Sequence, residues 1–112
     1  MRDYKLYLVD ILTAIESIER FVAGLEAEGF KHDDKTSSAV IRKFEIIGEA
    51  AKNVPDEVQR QYPGVPWKEM AGMRDRLIHS YFGVDYDLVW STIKNRLPQL
   101  KLLISKTVSE EK

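Results

Sequence analysis

The sequence contains no cysteine, only two histidines and no long apolar run. Without cysteine, the chain can form neither a disulfide nor a thiolate metal site, which fits a reducing compartment. No apolar stretch approaches the roughly 18 residues needed to cross a bilayer. The first residues mix acidic and basic side chains and do not resemble a secretory signal. These absences predict a cytoplasmic protein that has no contact with a membrane.

An excess of charge of one sign is also lacking, because 17 Lys and Arg stand against 18 Asp and Glu. A protein that coats nucleic acid would be strongly basic, so this balance argues against that class. The distribution is uneven, since residues 1–67 hold 9 basic and 12 acidic residues, whereas residues 68–112 hold 8 and 6. The positive C-terminal part predicts either a solvated helical surface or a local field that attracts phosphate.

Apolar residues recur every three or four positions, which is typical of amphipathic helices. They predict helices over residues 4–23, from a cap at Thr36 or Ser37 to about residue 51, from Pro55, from Trp67 to Tyr81, and from a cap at Asp85 or Asp87 onward. Gly24 is expected to end the first helix, and residues 25–35 to form at most a short turn and a polar connector. Pro98 is expected to kink the last helix.

The fold class predicted from these helices is all-α, an antiparallel bundle of four to five helices. A chain of 112 residues is one domain, which we expect to occupy residues 1–104, with a polar tail at 105–112 that frays. The small residues around Gly48 and Ala51 should permit close approach of another backbone.

The most informative stretch places Arg74, Asp75, His79 and Tyr81 close together in the sequence. An always-charged guanidinium beside an imidazole that titrates near neutral pH can bind a phosphodiester and move protons around it. On an ideal helix Arg74 and Tyr81 share a face, whereas His79 lies roughly 140° from Arg74. His79 can join Arg74 only if the helix ends or bends, or if a partner chain supplies half of the site. Asp75, four residues before His79, is placed to orient its ring.

Several separate motifs occur in order and resemble the HepT-like branch of the HEPN superfamily from about residue 4 to residue 104. They are Ala39-Val40-Ile41-Arg42, Glu45-Ile46-Ile47-Gly48-Glu49-Ala50-Ala51-Lys52, Tyr62-Pro63, Val65-Pro66-Trp67, Gly72-Met73-Arg74, Ile78-His79-Ser80-Tyr81-Phe82-Gly83-Val84-Asp85, Val89-Trp90 and Leu97-Pro98. The main departure is Asp75, where asparagine is more usual in that family. Both are short polar groups, so the difference concerns the tuning of the site.

The resemblance implies a homodimer of helical bundles in which the Arg-x4-His motifs of both chains face one cleft. It also implies a metal-independent endoribonuclease without a cofactor, acting on RNA as the toxin of a type II toxin–antitoxin pair. The antitoxin would be a small nucleotidyltransferase of the MNT type, which neutralises the toxin by attaching AMP to Tyr81. A dimer would also remove the geometric difficulty of His79, because each site could be completed across the two-fold axis.

In the resulting hypothesis His79 is the general acid and base, and Arg74 holds the phosphate and stabilises its developing charge. Asp75 would set the tautomer of His79. Each residue also has a structural alternative: a buried histidine, an arginine in an ion pair, an exposed acid, and a tyrosine of the core. Glu45 and Glu49 share a helix face, but no histidine pair accompanies them, so we expect no metal there.

Two other functional classes remain open from the sequence. The bundle could be a non-catalytic partner or substrate subunit of a small nucleotidyltransferase, or a structural dimer that has lost activity. The presence of both Arg74 and His79 favours the enzyme.

Overall fold

The structure is a computed structural model that describes residues 3–79 and 83–111, with the backbone alone for His79. Within these residues the chain is all-α apart from one ladder of two-residue strands. The helices are α1 (Tyr4–Val22), α2 (Ala27–His32), α3 (Asp34–Asn53), α4 (Asp56–Gln61), α5 (Trp67–Ala71), α6 (Met73–Leu77), α7 (Tyr86–Asn95) and α8 (Leu97–Glu110), and the strands are β1 (Ile78–His79) and β2 (Gly83–Val84). The four longer helices form the predicted bundle, and the short ones connect them.

The core lies where the apolar stripe of α1 meets α3, with α8 packed against α1 and against α7. The stripe predicted for the first helix is confirmed, since Ile11, Ile15 and Ile18 are completely buried. Phe44 and Ile47 of α3 are equally buried opposite them. Burial of these side chains supplies the main driving force for the fold. In the described part of the chain, no helix is both long enough and apolar enough to cross a membrane.

The segment between α1 and α3 differs from the predicted turn and polar connector. Gly24 ends α1 as expected, with φ +81°, but residues 27–32 form a helix. Phe30 is completely buried and anchors that helix against the core, which a local pattern cannot reveal. Asp33, and not Thr36 or Ser37, caps α3 by accepting a 3.0 Å hydrogen bond from the Thr36 N–H. This bond, with one from the Thr36 hydroxyl, lowers the pKa of Asp33.

The small-residue face of α3 is confirmed as the contact that brings α5 close. Gly48 is buried, and a Cβ added there would lie 3.3 Å from the carbonyl oxygen of Ala71 and 3.4 Å from that of Met70. Because both neighbours are backbone atoms, they cannot rotate away as a flexible side chain would. Glycine at this position therefore lets α5, and α6 after it, lie directly against α3.

The helix predicted from Trp67 to Tyr81 is wrong in its second half. It is interrupted at Gly72 and ends at Leu77, since Ile78 has extended backbone angles of φ −122° and ψ 118°. Ile78 then pairs with Val84, and His79 with Gly83, in an antiparallel ladder. The backbone N–H of Asp85 donates to the carbonyl of Leu77, so extended pairing replaces helical hydrogen bonds at this point.

The C-terminal part also differs from the prediction in two ways. Pro98 does not kink a continuous helix, because α7 ends at Asn95 and Pro98 lies in the first turn of α8, where proline is tolerated. The helix also continues to Glu110, beyond the point at which we expected a frayed tail, and Thr107 is buried. The limit of the domain at residue 104 stays a prediction. Asp85 caps α7 as expected, accepting from the Leu88 N–H at 3.0 Å.

Candidate active site

Arg74 lies on α6, and its half-exposed side chain forms a hydrogen-bonded ion pair with a glutamate of α3. Its Nε donates to Oε2 of Glu45 at 3.1 Å, and its side chain is 52% exposed. Nη1 lies 3.5 Å from Oδ1 of Asp75, a looser ion pair. The guanidinium is therefore oriented through Nε, and about half of the side chain is open to solvent.

Glu45 is shared by two arginines of different helices. Its Oε1 lies 3.9 Å from Nη1 of Arg42, one turn earlier on α3, and its Oε2 receives Arg74. An open pocket of about 190 Å³ lies beside this group. Its lining residues are Tyr7, Asp10, Arg42, Glu45, Ile46, Glu49, Ala50 and Asn53. The sequence predicted no metal at Glu45 and Glu49 and favoured a polar helix surface or interface, and it did not reveal the contact of Glu45 with Arg74.

No signal in the sequence could have revealed that contact, because Glu45 and Arg74 are 29 positions apart. It depends on the close approach of α5 to α3 at Gly48. Within residues 3–79 and 83–111, no three His, Asp or Glu side chains are grouped as they would be around a metal ion.

Of the other predicted site residues, the structure describes Asp75 and the backbone of His79. His79 lies on β1, directly after α6, so the helical angles expected between it and Arg74 or Asp75 do not apply. The helix does end between Arg74 and His79, which is one of the arrangements that the sequence required to bring them together. Asp75 is on α6 with an 83% exposed side chain, and its described contact is with Arg74. Tyr81 lies outside the described residues.

Three basic residues of the C-terminal part besides Arg74 form ion pairs, which favours the solvated-surface alternative for those three. Arg96 donates from Nε and Nη2 to Glu69, and Arg76 lies 3.7 Å from the same carboxylate. The hydrogen bond from Arg96 lowers the pKa of Glu69. Lys101 pairs with Glu19 at 2.8 Å. Arg74 differs from Arg96 in that a single hydrogen bond holds it among the described residues.

Trp67 and Phe44 belong to the core, and Trp90 is half-buried and packs against it. Trp67 is 7% exposed, and its Nε1 donates to the Tyr62 carbonyl at 3.1 Å. Trp90 packs on Phe30 with ring centroids 5.2 Å apart. His32, whose side chain is 80% exposed, is a surface residue. Among these residues, therefore, none forms an open platform on which a base could stack.

The all-α bundle and the Arg-x4-His sequence at the end of α6 define a protein of the HEPN class. A sequence model of the family described as "Ribonuclease HepT-like" matches residues 11–107. The chain belongs to this family.

Several relatives match nearly the whole chain. A protein named "Probable ribonuclease HepT" from Thermococcus cleftensis is 54% identical over 100 residues, which is 89% of this chain and 91% of that protein. A protein of Methanocaldococcus jannaschii, named as a candidate RNase, is 44% identical over 97% of this chain and 90% of its own length. Another candidate RNase, from Caldanaerobacter subterraneus subsp. tengcongensis, is 43% identical over the full length of both chains. No solved structure gives a significant match.

Proposed function

We propose that this chain is a metal-independent endoribonuclease in which Arg74 and His79 carry the reaction. The observation that carries the proposal is the half-exposed guanidinium of Arg74, oriented by Glu45 at the start of the Arg-x4-His sequence. Membership of the ribonuclease HepT-like family and relatives named as ribonucleases support RNA as the substrate.

In this mechanism the neutral imidazole of His79 takes the proton of a ribose 2′-hydroxyl, and the 2′-oxygen attacks the adjacent phosphorus. Arg74 donates hydrogen bonds to the phosphate oxygens and stabilises the charge that develops on them. The bond from phosphorus to the 5′-oxygen then breaks, and the leaving oxygen takes the proton from His79. The products are a 2′,3′-cyclic phosphate and a 5′-hydroxyl.

Asp75 is the proposed supporting residue. Its four-residue spacing from His79 no longer implies a shared helix face, because α6 ends at Leu77. Its 3.5 Å contact with Arg74 supports a place beside the reacting phosphate. We retain its action on the His79 ring as a prediction.

The direct test is to induce the wild type, Arg74→Ala and His79→Ala in cells and to follow growth and RNA integrity. Purified proteins are then assayed for RNA cleavage with EDTA present, and their folding is compared by circular dichroism. We expect chelator-resistant cleavage by the wild type and none by either folded variant. Complete loss of wild-type activity in EDTA would exclude metal independence. Equal behaviour of all three proteins would favour the non-catalytic partner of a nucleotidyltransferase.

The proposal extends to the biological setting that the family resemblance implies. The enzyme would be a cytoplasmic homodimer and the toxin of a toxin–antitoxin pair, silenced by an MNT-type nucleotidyltransferase that attaches AMP to Tyr81. AMP at that position would place a bulky anion near the arginine and block RNA by charge and volume. Tyr81→Phe should still cut RNA but resist inactivation by the antitoxin. Continued inactivation of that variant would contradict the role of Tyr81, and a monomer in sedimentation would contradict the dimer.

A further inference from the structure

We propose that Arg42 is a second RNA-binding residue, which contacts a phosphate neighbouring the one held by Arg74, and that Glu45 positions both arginines. This inference rests on the proposed ribonuclease function and adds a binding residue to it. Its basis is one carboxylate that lies within 3.9 Å of Arg42 and 3.1 Å of Arg74.

The exposure of the three side chains argues against a purely structural purpose. The side chains of Arg42, Glu45 and Arg74 are 70%, 32% and 52% exposed. Ion pairs this open to water contribute little to folding, because solvent screens the attraction and ordering long side chains costs entropy. The helices that carry the group are nevertheless held near each other, because α5 lies against α3 at the buried Gly48 and α6 follows α5 directly.

The chemistry of the group fits a polyanion better than an isolated phosphate. Two guanidinium groups flank Glu45, and the exposed carboxylate of Asp75 lies 3.5 Å from Arg74, so an RNA phosphate would replace Asp75 at that arginine while Arg42 offers a second cation. Arginine binds phosphate through paired N–H donors, and both arginines expose part of their planar donor edge. A single RNA strand presents successive phosphates, so Arg74 can hold one phosphate while Arg42 holds the next.

Glu45 acts on RNA through Arg74, which makes it a positioning residue. By accepting from Nε, it fixes one side of the guanidinium and leaves Nη1, in looser contact with Asp75, and Nη2 for a phosphate. Without that bond the arginine would sample several rotamers, and part of the binding energy would be lost in ordering it.

Binding can be tested apart from cleavage with a mixed-sequence, fully 2′-O-methylated single strand, which lacks the attacking hydroxyl. Fluorescence anisotropy at several salt concentrations gives the slope of log K against log salt, which changes by about 0.7 for each phosphate contact to a single strand. We expect Arg42→Gln to lose about 0.7 of slope and several-fold in affinity. The matched control is Arg60→Gln, which makes the same charge change on the exposed face of α4. A shared slope for Arg42→Gln and Arg60→Gln would overturn the role of Arg42.

Glu45 is tested with two variants that remove the same charge. Glu45→Gln keeps an oxygen that can accept from Arg74, and Glu45→Ala does not. We expect kcat on cleavable RNA to fall about tenfold in Glu45→Ala and to be largely restored in Glu45→Gln, with Glu57→Ala on α4 as the control for charge. An unchanged kcat in Glu45→Ala would overturn the positioning role.

The outcomes separate this inference from the function on which it rests. If the wild type cuts RNA but Arg42→Gln binds like Arg60→Gln, the inference fails and the ribonuclease proposal stands. If the wild type binds RNA through Arg42 but cuts nothing, the ribonuclease proposal fails and the binding site stands. A wild type that neither binds nor cuts RNA would overturn both.

Discussion

Arg96 and Arg74 each bind a glutamate from another helix, but they use their guanidinium groups differently. Arg96 donates from Nε to Glu69 at 3.0 Å, from Nη2 to the same carboxylate at 2.6 Å, and from Nη1 to Gln99. Arg74 donates only from Nε to Glu45 among the described contacts, and it is 52% exposed against 33% for Arg96.

The difference separates an arginine that ties helices together from one that is available to a ligand. A guanidinium that already donates from all three nitrogens has fewer N–H groups left for phosphate, and binding through the engaged ones would break existing bonds at a cost in free energy. Arg74 can bind phosphate through Nη1 and Nη2 and keep its bond to Glu45, giving up only the looser contact with Asp75. The comparison therefore predicts that the two arginines respond in opposite ways to the same substitution.

The largest expected effect is on catalysis. Arg74→Ala should lower the rate of RNA cleavage by about 10²–10⁴-fold, because the developing negative charge loses its stabilising donor. Arg96→Ala should change that rate by less than about threefold when assayed well below its unfolding temperature, since its guanidinium is already occupied. Single-turnover cleavage by both variants measures the contrast. Comparable losses of cleavage rate in the two variants would mean that Arg74 is no more involved in the reaction than Arg96.

The stability of the same two variants should show the reverse order. Arg96→Ala should lower the free energy of unfolding by about 1–2 kcal/mol, because Glu69 loses charge-assisted hydrogen bonds that are only partly screened. Arg74→Ala should stay within about 0.5 kcal/mol of the wild type, as is usual for an exposed ion pair. Urea unfolding followed by circular dichroism measures both. A larger loss of stability in Arg74→Ala than in Arg96→Ala would mean that Arg74 mainly stabilises the fold.

A smaller effect is expected from a substitution at Gly48. This glycine lets α5 approach α3, and that approach brings Arg74 of α6 within reach of Glu45 of α3. Gly48→Ala gains about 1 kcal/mol of helix propensity, but the clash with the backbone of Met70 and Ala71 costs about 1–3 kcal/mol. We expect a net loss of about 1 kcal/mol and slower RNA cleavage.

Gly29→Ala is the matched control, since the new methyl group would lie 3.7 Å from a flexible Leu25 side chain. It should raise stability by about 0.5 kcal/mol. Thermal unfolding of the Gly48→Ala and Gly29→Ala variants measures the two effects on stability. Stabilisation by Gly48→Ala would show that α3 and α5 can move apart at little cost in free energy.

The smallest expected effect is a dependence on pH. Because Arg96 lowers the pKa of Glu69 below that of a free carboxyl group, the pair stabilises the fold above the ordinary glutamate pKa. That contribution is lost as the pH falls through the lowered pKa. The difference in unfolding free energy between wild type and Arg96→Ala should therefore stay constant near neutral pH and shrink as the pH falls below the ordinary glutamate pKa of 4.5. A difference that is constant with pH would mean that Glu69 is not responsible for it.

A second carboxylate, Glu111, contributes to stability in the same pH-dependent way and connects the two ends of the chain. Glu111 accepts hydrogen bonds from the hydroxyls of Tyr4 and Tyr62, which lower the pKa of Glu111. The bond to Glu111 raises the pKa of Tyr62 to about 12. Like Glu69, this carboxylate stabilises the fold in its charged form, so its contribution is also lost in acid.

The sequence predicted those helices and helix ends that depend on residues close together in the chain. The stripe of α1, its end at Gly24, the start of α5 at Trp67 and the cap at Asp85 all follow from helical periodicity, from glycine at positive φ, or from capping. These signals depend on residues within a few positions of one another, so a single sequence contains them. The separation of α7 from α8 was missed because proline in a first turn and proline at a kink look alike in sequence.

The sequence by itself determined the all-α class, the arginine–histidine motif and, through several motifs in order, the family. Tertiary structure decided which carboxylate meets Arg74, because nothing in a linear pattern specifies a contact between α3 and α6. It also decided that α6 ends before His79, since β1 gains its hydrogen bonds by pairing with β2. Both outcomes depend on backbones that approach only in the folded chain, at Gly48 and at the ladder, where packing and hydrogen bonding outweigh helix propensity.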